Sequence, residues 1–145
     1  MFKHILIATD GSELAQKAVG QGLTLARALD AKVLVINVTE PWTSVVSGDL
    51  AFPYPVPEYE KNAAANASKV LASAIDIARK VGIPCETLHV EDRYPADGIV
   101  ETAKARGCDL IVMASHGRRG ISRMLLGSDA NKVVTLSTVP VLICR

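Results

Sequence analysis

An α/β fold with a parallel sheet is what this chain of 145 residues predicts, on three observations. Short β-branched apolar runs alternate with longer stretches of helical periodicity. Most of the short runs are nearly continuous in apolar residues, as in strands covered on both faces. The composition is 49% hydrophobic but only 4% aromatic, so the apolar content is Ala, Val, Ile and Leu, which suits helices laid on a buried sheet. The length fits one domain, 1–145, that buries roughly 68–70% of its unfolded surface without help from disulfides or metals.

The elements follow in order. His4-Ile5-Leu6-Ile7-Ala8 reads as the first strand. Ser12 to Leu29 is a helix with Ala15, Ala18, Val19, Gly22, Ala26 and Leu29 on one stripe. Lys32 to Val38 is the second strand. Glu40 to Pro57 breaks the rhythm with Pro41, Pro53, Pro55, Pro57, Gly48 and the lone Trp42, and reads as a long irregular loop, either a surface insertion or a lid over a site. Glu58 to Val81 is a helix with Val70, Leu71, Ala74, Ile77 and Ala78 inward, stopped by Gly82-Ile83-Pro84. Cys85 to Val90 alternates more and suits a strand near an edge. Pro95 to Arg106 is a helix stopped by Gly107. Leu110 to Ala114 is a strand, Ser128 to Thr135 a helix, and Val139 to Cys144 a closing strand. The alternation of strand and helix implies right-handed crossovers.

Composition also excludes functions. Sixteen Lys and Arg against fifteen Asp and Glu leave a net charge of +1, without the basic excess of a duplex-DNA binder. The aromatic shortage removes a stacking platform for single strands, so no nucleic-acid partner is expected. Cys85, Cys108 and Cys144 form no CxxC pair and read as buried thiols of a reducing compartment. No run approaches the roughly 20 apolar residues of a membrane span, and the N-terminus lacks the pattern of a signal peptide. A cytoplasmic protein is expected.

In open parallel sheets, ligands bind outside the carboxyl ends of the strands, where the strand order reverses. Polar residues and glycines concentrate just after three strands: Thr9-Asp10-Gly11-Ser12, Val38-Thr39-Glu40-Pro41, and Ser115-His116-Gly117-Arg118-Arg119-Gly120. Gly127-Ser128 opens a helix, whose unpaired N–H groups and positive dipole end suit a phosphate. Gly117 is expected to use a positive φ to bring backbone close to an anion. His116, Arg118, Arg119 and Arg123 add positive charge. Asp10 can accept hydrogen bonds from a ribose, leaving Ser12 to cap the first helix. His4 and His89 fall in strand patterns and read as structural or surface groups.

These residues together resemble the universal stress protein family. The resemblance spans the whole chain: the first strand ending in Asp10-Gly11-Ser12, the strand ending at Val38, the Asp109 to Met113 strand and the closing Pro140 to Ile143 strand. The family's nucleotide-binding pattern G-x2-G-x9-G-[ST] reads here as Ala114-x2-Gly117-x9-Gly127-Ser128, with alanine in place of the first glycine. The resemblance implies an adenine nucleotide, ATP with or without Mg2+, in the crevice. Asp10 would contact ribose, Val38 and Met113 would flank adenine, and Ala114, Gly117, Gly127 and Ser128 would form the phosphate loop. Thr9, His116 and Arg119 join this set on position and charge alone. The resemblance also implies an open five-stranded parallel sheet in the order 3-2-1-4-5 with helices on both faces. It further implies a homodimer paired through the C-terminal strand, whose Val141-Leu142-Ile143-Cys144 would be an apolar edge.

Other chemistries fit less well. A P-loop needs G-x4-G-K-[ST], and a dinucleotide-binding turn needs G-x-G-x-x-G after the first strand; neither occurs. No metal-ligand spacing is present. Three readings stay open. A nucleotide-binding regulatory protein that signals to an unidentified partner comes first, and a slow ATP-hydrolysing or adenylating enzyme second. The third is an interaction dimer with a vestigial crevice. A β-branched side chain at 127 is expected to fill the phosphate space.

Overall fold

The computed structural model describes residues 1–46, 55–117 and 125–145. Five strands, β1 (His4–Ala8), β2 (Lys32–Val38), β3 (Glu86–Val90), β4 (Leu110–Ala114) and β5 (Val141–Cys144), form one sheet in the order β3-β2-β1-β4-β5. Every pairing is parallel, with Leu6 opposite Leu34 and Ile111 at the centre. Among the described residues five helices accompany it: α1 (Glu13–Leu29), α2 (Trp42–Val46), α3 (Val56–Val81), α4 (Pro95–Arg106) and α5 (Ser128–Leu136).

Strand side chains alternate between two cores. Ile5, Ile7, Val33, Val35 and Val112 face one side, against Ala18, Val19 and Leu23 of α1 and Leu71 and Ala74 of α3. Leu6, Leu34, Ile36, Ile111 and Met113 face the other, against Ile99 and Ala103 of α4 and Ala130 and Val133 of α5. Double coverage is why the central strands carry few polar residues. The small residues on α1 set how close it lies: a Cβ at Gly22 would fall 2.7 Å from Ile7 Cδ1 and 3.2 Å from Val112 Cγ1.

Helix ends follow the sequence signals. Ser12 Oγ accepts from the Ala15 amide at 3.3 Å. Gly82 and Gly107 take left-handed φ values of 83° and 68° and return their amides to the preceding turn. Asp30 ends α1 in the same conformation at φ 53°.

Several boundaries differ from expectation. The stretch from Glu40 to Pro57 is not wholly irregular: α2 occupies Trp42–Val46, and α3 begins at Val56, two residues before Glu58, with Pro57 in its first turn, where a missing N–H costs nothing. Residues 47–54, including Tyr54, lie outside the described residues. The last strand starts at Val141, because Val139 and Pro140 form its approach: Ser137 Oγ accepts from the Val139 amide and donates to the Val139 carbonyl. Leu23 joins the α1 core, and Leu29 only packs at its margin. Among the described residues no helix is long and apolar enough to cross a membrane.

Candidate functional site

From β1 the chain runs outward through β2 to β3, then returns to β4 and β5 on the other side. The order therefore reverses between β1 and β4, and their carboxyl ends diverge around a crevice. Its volume is about 580 Å3, within the range of roughly 300–1,000 Å3 usual for ligand sites.

Thr9, Asp10, Val38, Met113, Ala114, His116, Gly117, Gly127 and Ser128 all line this one cavity. Arg119, together with Arg118, Gly120 and Arg123, lies outside the described residues.

The β1 corner is self-supporting. The Thr9 amide donates to the Ile36 carbonyl at 3.0 Å, and Asn37 Nδ2 donates to the Thr9 carbonyl at 3.0 Å. Thr9 Oγ1 accepts from the Gly11 amide at 3.2 Å. Gly11 turns the chain at φ 82°, a conformation that costs other residues more. Asp10 Oδ1 accepts from the Ser12 amide at 2.9 Å, so the carboxylate braces the start of α1 while lining the crevice.

The β4 corner is built differently from expectation. Gly117 does not use a positive φ. Its lack of a side chain matters for space: a Cβ there would fall 2.5 Å from Asp10 Oδ2. Gly127 is likewise needed for close approach. A Cβ at 127 would fall 2.9 Å from the Ser115 carbonyl oxygen and 3.4 Å from His116 Cα. The Gly127 amide donates to that same carbonyl at 2.8 Å, so it is not an open donor for an anion. A β-branched residue at 127 would therefore strike backbone before it filled any phosphate space. The Gly127 carbonyl accepts the Asn131 amide at 2.9 Å and starts α5, which has no side-chain cap. The start of α5 from Ser128 on lines the crevice, and a helix start of this kind suits an anion.

His116 Nδ1 lies 3.0 Å from Ser115 Oγ, and its Nε2 is buried without a partner among the described residues. Such an atom costs about 1–3 kcal/mol when left unsatisfied, so it marks a place where a ligand group would be welcome.

The opposite end of the crevice is apolar: Ile36, Val38, Pro95, Ile99 and Met113. Gly98 lets α4 press against this wall, since a Cβ there would meet Val38 Cγ1 at 2.9 Å. Glu40 falls in the corner expected after the second strand, but Pro95 and Ile99 were not expected at the site. Pro95 and Ile99 are one helical turn apart, but nothing local shows that α4 starts beside the end of β2.

The cysteines lie apart from this crevice. Burial pushes the Cys108 thiol up to about 11, with the neighbouring Asp109 adding to the effect and Arg106 opposing it. Burial raises Cys85 and Cys144 as well. These are weak nucleophiles at neutral pH. Among the described residues no group of three or more His, Cys, Asp or Glu side chains could hold a metal ion.

A doubly wound parallel sheet with glycines, a helix start and a carboxylate at its switch point is the arrangement in which open α/β sheets form a ligand crevice. The model of the universal stress protein family matches residues 1–145, and the chain belongs to that family. Universal stress protein YxiE of Bacillus subtilis is 34% identical, with the match covering 100% of both chains. Among solved structures, a universal stress protein in complex with cAMP is 27% identical, with a TM-score of 0.71 over 99% of this chain and 97% of that one. The protein MJ0577 of Methanocaldococcus jannaschii, also 27% identical, superposes with a TM-score of 0.81 over 99% of this chain and 96% of its own.

Proposed function

We propose that the chain, as one nucleotide-binding unit spanning 1–145, is a cytoplasmic stress-response protein. It binds an adenine nucleotide, ATP in its resident form, and acts as a regulatory homodimer with no dedicated catalytic role. The observation that carries this reading is the convergence of Asp10, Gly117, Gly127 and Ser128 at one end of a crevice whose other end is apolar.

The residues fit such a ligand. Phosphates would lie at the first turn of α5, over Gly117 and beside His116, with Mg2+ travelling on them. Ribose would meet Asp10, and Thr9 would support that corner. Adenine would sit between Val38 and Met113, with Ala114 lining the turn toward the phosphates. The relative in complex with cAMP, at 27% identity, supports an adenine ligand. The family pattern, with Ala114 at its first glycine, supports ATP. In this role the nucleotide supplies a signal, its presence or phosphate number, which a partner protein reads.

The dimer reading rests on β5. It is an edge strand, and Leu142 remains 40% exposed there, with Val134 and Leu136 of α5 exposed at 47% and 49%. Unpaired edges with apolar side chains favour pairing with a second copy.

Denaturing the purified protein and identifying the released small molecules by chromatography and mass spectrometry tests the ligand. An adenine nucleotide is expected. Added ATP at a hundred times its Kd would stabilise the fold by about 2.7 kcal/mol, roughly 8–10 °C in Tm. No released nucleotide together with no thermal shift at millimolar ATP would overturn the reading.

A further inference from the structure

We propose that Glu40 selects adenine, accepting a hydrogen bond from its 6-amino group; the inference rests on the adenine-nucleotide reading above. If phosphates lie at the start of α5 and ribose at Asp10, the base reaches the far end of the crevice. The walls there are Val38, Pro95, Ile99 and Met113, and Glu40, two residues past the end of β2, lines the same cavity.

Its position is held from two sides. Tyr59 of α3 donates its phenolic hydroxyl to the Glu40 carbonyl at 2.7 Å. Ser44 of α2 places its Oγ 3.1 Å from Glu40 Oε2 and 2.7 Å from the Pro41 carbonyl. The neighbouring Thr39 backbone is turned toward β3 instead. Its amide donates to Val90 and its carbonyl accepts from Arg93, at 2.8 and 3.3 Å.

A carboxylate offers about four acceptor positions and no donor, so it can accept from several donors at once. An acceptor-only group rewards a base edge that presents an amino group and gains nothing from one that lacks it.

The test is a cycle between protein and ligand. ATP is compared with purine riboside triphosphate, which differs only by lacking the 6-amino group, on the wild type and on Glu40→Ala, by titration calorimetry. The wild type should prefer ATP by about 10- to 100-fold, the value of a hydrogen bond to a charged group. In Glu40→Ala the preference should fall to within about twofold. Glu40→Gln keeps the size and one acceptor oxygen, and should retain part of the preference. It also serves as the probe if the alanine variant unfolds. ATP binding with an undiminished preference in both variants would overturn the role of Glu40 alone. Failure of the wild type to bind ATP would overturn the nucleotide reading and this inference with it.

Discussion

Gly117→Ala is the most discriminating single change at the crevice. The backbone at 117 lies outside the left-handed region, so alanine meets no left-handed strain there. The new Cβ would stand 2.5 Å from Asp10 Oδ2. Ordinary contact requires the carboxylate to retreat by about 1 Å. It cannot do so freely, because Oδ1 is bound to the Ser12 amide at 2.9 Å. Weakening that hydrogen bond should cost about 1 kcal/mol of stability. A displaced carboxylate would also miss the ribose, forfeiting about 1.5–3 kcal/mol of binding, or roughly 10- to 150-fold in ATP Kd. Calorimetry gives the affinity and thermal unfolding the stability. In an Asp10→Ala background the same substitution should change ATP affinity little, since the group it displaces is gone. ATP binding by Gly117→Ala within twofold of wild type would refute the placement of Asp10 at the ligand.

Three further outcomes follow from other parts of the fold. Gly20→Ala should raise stability by about 0.5–1 kcal/mol through helix propensity, since its Cβ meets nothing nearer than Ile77 Cγ2 at 3.9 Å; Gly22→Ala, with the same helical gain, should be destabilising on balance because it strikes Ile7. Paired urea titrations check the opposite signs. Burial works to raise the Asp109 carboxyl, but hydrogen bonds from the Lys3 and His4 amides outweigh it and hold it below its usual value. Its contribution is therefore full above the unfolded value of 3.8 and lost as pH falls through the lower folded value. The stability gap between wild type and Asp109→Asn should be open at pH 7 and close below about pH 4, as read by denaturant midpoints across pH. Leu142→Lys should convert a wild-type dimer to monomer in light scattering, and a monomeric wild type would refute pairing through β5.

Much of the architecture was legible because two periodicities dominate the chain. Ile5 to Ile7 and Ile111 to Met113 could only be strands buried on both faces, and glycines at 82 and 107 end helices for reasons contained in their own backbone. The corners of the crevice were legible for a related reason: in an open parallel sheet the residues directly after the strands surround the switch point. What stayed hidden depends on distance through space. Gly117 and Gly127 line the crevice, but the reason each is a glycine was not legible. Their neighbours Asp10 and Ser115 take the volume that a side chain would need, and no local pattern states that. The apolar wall at Pro95 and Ile99 depends on β3 lying beside β2. The helix at Trp42–Val46 was masked by the prolines around it.

The bond from the Gly127 amide to the Ser115 carbonyl has a consequence for how this protein can diversify. It pinches the chain at 2.8 Å just as it leaves β4 and just as it enters α5. Both ends of the intervening segment are therefore anchored by the sheet, by the helix and by each other. Lengthening a segment whose ends are already joined costs little, about 0.6 kcal/mol for each doubling. A change of length between the two anchors therefore leaves Ser115 and Gly127 where they stand at the crevice.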